Sequence, residues 1–451
     1  MNNSPSMEST VVRTVTLRLM PLLVLLYLVA YVDRSNVGFA KLTLQDELGL
    51  SNAAFTLGQV AFFVAYALFE VPSNVFLERV GARRWFTRIM VTWGLVTVLT
   101  ALVQSGWQFY AVRFLLGLAE AGFYPGVLYF LTKWYPFRHR ARMTGWFMMS
   151  QPLAFILGNP LLGALDDMDG VLGLKGWQWI FVATGIPAVL LGALTLRVLP
   201  DGPEKVRWLT DAQRGWIAGE LAAESRALGD AGRGSTFATL RDKRVVLMSL
   251  FYLCFPLGAY GLSFWLPTIV DGFGGLTTTQ TGFITAVPYL FVALGLWAVP
   301  KLAQRGSPYA WVAGTATLGA LALAGSAMVE DHLLQMTFIS VAALGIFAGQ
   351  PVLMALPSRF LTGVRAAAGI AMINAVGNLG GGFGPMGIGV IVDRTGSAVA
   401  GLWFLVAALA LAAATTYGIK RLIERGPLVD RTPDQPPTVP DVASTPEPDR
   451  N

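Results

Sequence analysis

Charge is scarce in this chain. Of its 451 residues, 13% are Asp, Glu, Lys or Arg, against about 25% in ordinary soluble domains. That missing polar coat excludes a cytosolic globular enzyme, a disordered chain and a nucleic-acid binder of the basic-patch kind. Cys254 is the single cysteine, so no disulfide forms within the chain and no redox compartment follows. The two histidines, His139 and His332, lie outside the apolar runs, which excludes an imidazole relay across a membrane. No H-E-x-x-H, G-x-S-x-G or Cys/His cluster occurs, so the chain reads as no enzyme, with no cofactor and no metal site.

Apolar residues fill the space that charge leaves. They make up 54% of the chain and give a mean hydropathy of +0.56. Runs of about 20 apolar residues recur along nearly the whole length, each long enough to cross a bilayer as a helix. Lipid cannot hydrogen-bond an exposed backbone, so an all-α membrane protein is expected. Twelve transmembrane helices are read at 18–40, 55–77, 86–104, 108–131, 143–165, 178–199, 246–270, 280–302, 309–328, 333–358, 365–391 and 398–420.

The polar stretches divide the chain. Residues 1–17 read as an N-terminal tail without a cleavage site, and 422–451, rich in Pro and Asp, as a disordered tail. Between two six-helix bundles at 18–199 and 245–421 lies a linker at 200–244 with eight Lys/Arg and seven Asp/Glu. Trp208, Leu209, Trp216, Ile217 and Leu221 fall there at roughly helical spacing, which predicts an amphipathic linker helix. With both termini cytoplasmic, the inside segments hold 27 of the 33 Lys/Arg, while the outside loops hold only Lys41, Lys175 and Arg394. The net charge of +6 therefore reflects positive-inside topology in a bacterial inner membrane, not a nucleic-acid partner. Two halves about one centre are the plan of secondary transporters that alternate access.

Ionisable residues inside spans are expensive and mark function. Asp33, Arg34, Glu70, Arg113 and Glu120 are the five that matter. By helix rise, Arg34 and Arg113 fall at similar depth in the outer half, with Glu120 about 10 Å nearer the cytoplasm on the Arg113 face. Two guanidiniums above a carboxylate suit an organic anion, since arginine binds carboxylate bidentately and stays charged. The alternative is that the arginines only pair with Asp33 and Glu120 to hold the bundle together. Proton coupling needs a buried group able to lose its charge, and Glu120 fits best. Adjacent helix positions point about 100° apart, so whether Asp33 pairs with Arg34 is open.

Particular motifs sharpen this reading. Asn74-Val75-Phe76-Leu77-Glu78-Arg79-Val80-Gly81-Ala82-Arg83-Arg84 resembles the cytoplasmic loop motif G-x-x-x-D-R-x-G-R-R of the major facilitator superfamily, with Asn for Gly, Glu for Asp and Ala at the ninth place. Tyr31-Val32-Asp33-Arg34-Ser35-Asn36, Phe69-Glu70-Val71-Pro72-Ser73-Asn74, Arg113-Phe114-Leu115-Leu116-Gly117-Leu118-Ala119-Glu120 and Asn374-Ala375-Val376-Gly377-Asn378 resemble the anion:cation symporter family within it. The resemblance implies the major facilitator fold and import of a small organic anion with a cation, usually a proton. It assigns Asp33 and Glu120 to cation coupling. The carboxylate and guanidiniums of Glu78, Arg79, Arg83 and Arg84 at a helix-loop-helix corner can lock the inner gate, and Glu70, close to the inner end of its span, reads as structural in that corner.

Tyr31 shares the Arg34 face, and Tyr66, Gln151, Tyr260, Ser358, Asn374 and Asn378 are polar groups in apolar spans. Their positions often touch substrate in the family; an interhelical hydrogen bond is the alternative for each. Where the family often has F-W-A-L-P, this chain has Leu353-Met354-Ala355-Leu356-Pro357, so no relative's substrate transfers directly. A monomer is expected, with small anion, proton and membrane lipid as partners. A proton-coupled drug or metabolite antiporter and an organic anion exchanger are the competing functions. Gly158-Asn159-Pro160-Leu161-Leu162-Gly163 resembles the antiporter pattern G-P-x-x-G-G but lacks its adjacent Gly-Pro, and paired arginines repel cationic drugs.

Overall fold

A computed structural model describes residues 7–228, 239–359, 361 and 363–424. The described residues are helical with no strand. The first half holds α1 (Met7–Glu47), α2 (Asn52–Val80), α3 (Ala82–Thr100), α4 (Gly106–Glu120), α5 (Phe123–Trp134), α6 (Phe137–Met148), α7 (Ser150–Asp166) and α8 (Gly176–Val198). After the linker helix α9 (Asp211–Leu228) come α10 (Lys243–Asp271), α11 (Thr278–Ala303), α12 (Pro308–Met328), α13 (His332–Met354), α14 (Gly363–Asn378), α15 (Gly380–Thr395) and α16 (Ala398–Glu424).

Leu68, Leu190, Leu321 and Leu411 are among many large apolar side chains left exposed, whereas Asp33, Arg113 and Glu120 are buried. That inversion of a soluble protein is what a lipid solvent requires. Eleven of the described helical segments are long and apolar enough to cross a membrane. The expected third crossing is the remaining one: α3 is 19 residues long and carries Arg83, Arg84 and Arg88 in its first turns.

Three expected spans are each two helices. α6 and α7 meet at a kink at Met149, and α14 and α15 at Leu379, both residues keeping right-handed helical angles. α4 and α5 are interrupted outright, because Ala121 is extended and Gly122 has φ +84°. Only glycine adopts that angle cheaply, and a Cβ there would lie 2.3 Å from Ser73 Oγ. The linker helix exists, but Trp208 and Leu209 precede it rather than lying on it. The C-terminal tail from 425 lies outside the described residues.

The halves meet along α7 with α11, α2 with α15 and α1 with α10. The first pair comes closest: a Cβ on Gly163 would sit 2.1 Å from Thr278 O, and one on Gly282 2.4 Å from Asn159 O. These contacts seal the end of the molecule farthest from the linker, called the far end below.

Candidate functional site

The α4–α5 interruption ends a helix on a buried carboxylate. Glu120 is the last residue of α4 and is 1% exposed. Arg34 Nε donates to Glu120 Oε1 at 2.7 Å, and Arg34 Nη1 donates to Tyr260 OH at 2.9 Å. The Arg34 guanidinium also lies 5.2 Å from the ring centres of both Tyr31 and Tyr66. α1, α2, α4 and α10 thus hold one arginine from both halves of the molecule. Glu120 Oε2 has no partner. Arg88 Nη1 donates to Ala119 O at 3.3 Å, covering a carbonyl that the interruption frees.

The two arginines are not level as expected. α1 continues to Glu47, seven residues past the expected end, which moves Arg34 toward the middle of the bundle and onto Glu120. Arg113 stays nearer the far end, in the second turn of α4. It is 2% exposed and pairs with no carboxylate among the described residues. Its Nη2 donates to Gln59 Oε1 at 2.7 Å, its guanidinium lies 4.8 Å from the Phe62 ring centre, and Nε and Nη1 have no partner. Arg113 and Arg34 line one narrow cavity between the halves, together with Gln59, Phe63, Phe155 and Tyr260.

Asp33 faces away from this cavity. Trp93 Nε1 donates to its Oδ2 at 2.8 Å and Asn36 Nδ2 to its Oδ1 at 3.0 Å. The open question of an Asp33–Arg34 pair is thereby closed: neutral donors from α1 and α3 hold Asp33, and Arg34 turns to Glu120.

On the linker side of the cavity, Asn374 Nδ2 donates to Glu70 Oε1 at 3.3 Å, joining the two halves. The α2–α3 corner is built differently from its motif. Glu78 is exposed and belongs to none of the ion pairs among the described residues, as do Arg79 and Arg84. The carboxylate at this corner is Asp201, just after α8, whose Oδ1 accepts from Arg83 N at 2.9 Å. Arg83 Nε donates to Leu196 O. A carboxylate suits the first turn of α3, where free backbone N–H groups gather. Gln151 and Asn378 are half-buried beside the kinks and make no hydrogen bond among the described residues. Ser358 lies in the turn Leu356–Arg359, with its side chain outside the described residues.

Sequence reasoning missed Gln59, Trp93 and Asp201. Gln59 carried the same signal as the chosen residues, a lone amide in an apolar run. Trp93 carried none, since its indole reads as lipid-facing or core until α3 is placed beside α1. Asp201 was visible in the linker, but its role depends on α8 ending beside α3.

Two bundles around a buried, incompletely paired charge cluster define a transporter of the two-half kind. Residues 23–385 match the family described as Major Facilitator Superfamily, and the chain belongs to it. It is 47% identical over 419 residues to the "Quinolone resistance transporter" of Acinetobacter baumannii, covering 93% of this chain and 96% of that one. It is 45% identical over 421 residues to a "Putative tartrate transporter" of Agrobacterium vitis, covering 92% and 96%. A solved bacterial homolog of the human lysosomal transporter Spinster, inward-facing and unoccupied, covers 94% of this chain and 99% of its own at a TM-score of 0.70. At 19% identity that likeness shows the fold alone. The superfamily resemblance read from the sequence is correct, and the protein is a transporter, not an enzyme.

Proposed function

We propose that this chain imports a small organic carboxylate with protons, by alternating access of one central site. The observation that carries the proposal is Arg113: a guanidinium 2% exposed, with two unpartnered N–H groups, beside a cavity. Unpaired buried donors are costly, and a carboxylate satisfies them bidentately. Arg34 supplies the coupling. It is held by Glu120, so a proton on Glu120 removes the charge that holds it and releases its guanidinium to the anion. Tyr31, Tyr66 and Tyr260 keep Arg34 in place throughout.

An anion entering a cell about 100 mV negative inside pays about 2.3 kcal/mol per charge. One proton makes a monoanion electroneutral, and Asp33, in its own network, supplies a second site for a dianion. Glu70 with Asn374, and the corner of Glu78, Arg79, Arg83 and Arg84, form the gate at the linker end. Gln151, Ser358 and Asn378 would meet substrate as that end opens. The topology proposed has twelve crossings, with the basic linker end and both termini in the cytoplasm of a bacterial cell, and the monomer is the working unit.

A second reading draws on the relative named for quinolone resistance: proton-coupled efflux. Quinolones are themselves flat carboxylic acids, so the same anion site serves both readings; they differ in the direction of flux and in whether proton and anion are carried together or in exchange. Calorimetry of purified protein with carboxylates tests the site. Arg113→Ala is expected to lose about 2–5 kcal/mol of binding, and near-normal affinity in that variant removes Arg113 from the site.

A further inference from the structure

We infer that the substrate is an aryl monocarboxylate, a flat aromatic acid, and not an aliphatic hydroxy acid; this rests on the anion site proposed above. The serine hydroxyls around the cavity already donate within the protein. Ser35 Oγ donates to Val32 O at 2.9 Å. Ser263 Oγ donates to Ala259 O at 2.7 Å and accepts from Tyr289 OH at 2.8 Å. Tyr260 OH accepts from Arg34, and Gln59 Oε1 from Arg113. Beside the cavity itself few donors remain free for the hydroxyls of a polyhydroxylated acid, and hydroxyls buried there short of partners are penalised strongly. One carboxylate is served by the free edge of Arg113; the rest of the ligand meets rings.

Those rings come from both halves. Phe62 and Phe63 stand on α2, Phe155 on α7 and Phe264 on α10. Phe63 meets Tyr260 edge-on at 4.8 Å between ring centres, and Phe155 stacks on Tyr289 at 4.1 Å. Gly381 makes room for this arrangement, since a Cβ there would lie 2.3 Å from Phe63 Cζ. A flat ring inserted among them gains edge and face contacts that an aliphatic body does not.

The test is calorimetry on the full chain in nanodiscs, with benzoate, quinoline-3-carboxylate, cyclohexanecarboxylate, L-tartrate and neutral benzamide. An aryl acid is expected to bind about tenfold tighter than cyclohexanecarboxylate, and tighter again than tartrate, with benzamide silent. Tartrate binding as tightly as both aryl acids, or cyclohexanecarboxylate matching benzoate, overturns the inference while leaving the anion site standing. Binding of benzamide with no acid binding sinks the anion site itself. Phe63→Leu is expected to weaken benzoate about tenfold and to leave cyclohexanecarboxylate within about twofold. Equal losses for the two acids mean a packing role and count against the inference; Phe155→Leu repeats the comparison should Phe63→Leu fold poorly.

Discussion

Asp167 and Asp393 each cap a helix of the opposite half. Asp167, just past α7, accepts from Thr278 N at 3.0 Å, Thr279 N at 2.8 Å and Thr279 Oγ1 at 2.6 Å at the start of α11. Asp393, near the end of α15, accepts from Asn52 N at 2.8 Å and Ala53 N at 2.9 Å at the start of α2. Each carboxylate satisfies helix N–H groups that lack an intrahelical partner. The exchange is reciprocal, and it closes the far end where Gly163 and Gly282 bring backbones together.

Removing either cap should favour opening there. Asp167→Ala or Asp393→Ala is expected to cost the closed state about 1 kcal/mol, a roughly fivefold rise in the open population. Spin-label distances between Leu172→Cys and Leu333→Cys, both at exposed far-end positions, read that population. An unchanged distribution in both variants would mean that the caps do not hold the gate.

The same closure has a defined pH response. Burial pushes the Asp167 carboxyl up, but hydrogen bonds from Thr279 and Thr278 outweigh it and hold the group below its ordinary value. A depressed carboxyl contributes fully above its ordinary range and loses its contribution as pH falls through the lowered value. Closure is therefore expected to persist from neutral pH down to about pH 4 and to weaken below it. Asp167→Asn should flatten that acid response. A transition centred near pH 6 would show that another group governs the gate.

At the linker end, the Glu70 and Asn374 side chains touch across the halves in this closed arrangement. Glu70→Cys with Asn374→Cys, in a Cys254→Ser background, is expected to lose transport on treatment with a short, reducible thiol-to-thiol cross-linker and recover it on reduction. Undiminished flux after complete cross-linking would show that this contact need not open.

Gly122 is the backbone requirement of the site. Gly122→Ala forces a side chain into φ +84° and against Ser73, and is expected to cost more than about 1 kcal/mol. Gly145→Ala is the control, since a Cβ there meets nothing within 4 Å. Thermal unfolding should separate the two, and equal midpoints would show that the interruption can be repaired by a continuous helix.

Much of the fold was legible because lipid makes the pattern simple: an apolar run long enough to cross is a helix. The charged residues within the spans were legible for the same reason, since Arg34, Arg113 and Glu120 stand out against their spans. Their pairing was not. Arg34 and Glu120 are 86 residues apart, and their contact depends on how far α1 extends and on where α4 stops. Asp33 and Arg34 are neighbours in sequence, yet α3 supplies Trp93 to one and α4 supplies Glu120 to the other. The motif's Glu78 drew attention away from Asp201, because a linear pattern does not show which chain end lies under a helix N-terminus.

The most direct test of the coupling is uptake of labelled benzoate into proteoliposomes under an inward proton gradient, with the wild type compared to Glu120→Gln and every uptake read above that of protein-free liposomes, which benzoic acid enters unaided. The wild type should accumulate benzoate and lose it on addition of an uncoupler. Glu120→Gln, neutral at every pH and therefore unable to hold Arg34 by charge, should exchange benzoate across the membrane but not concentrate it. If the Gln variant still concentrates benzoate when only pH differs across the membrane, Glu120 does not couple transport. If the wild type expels benzoate against that same gradient, the protein is an antiporter and import is wrong.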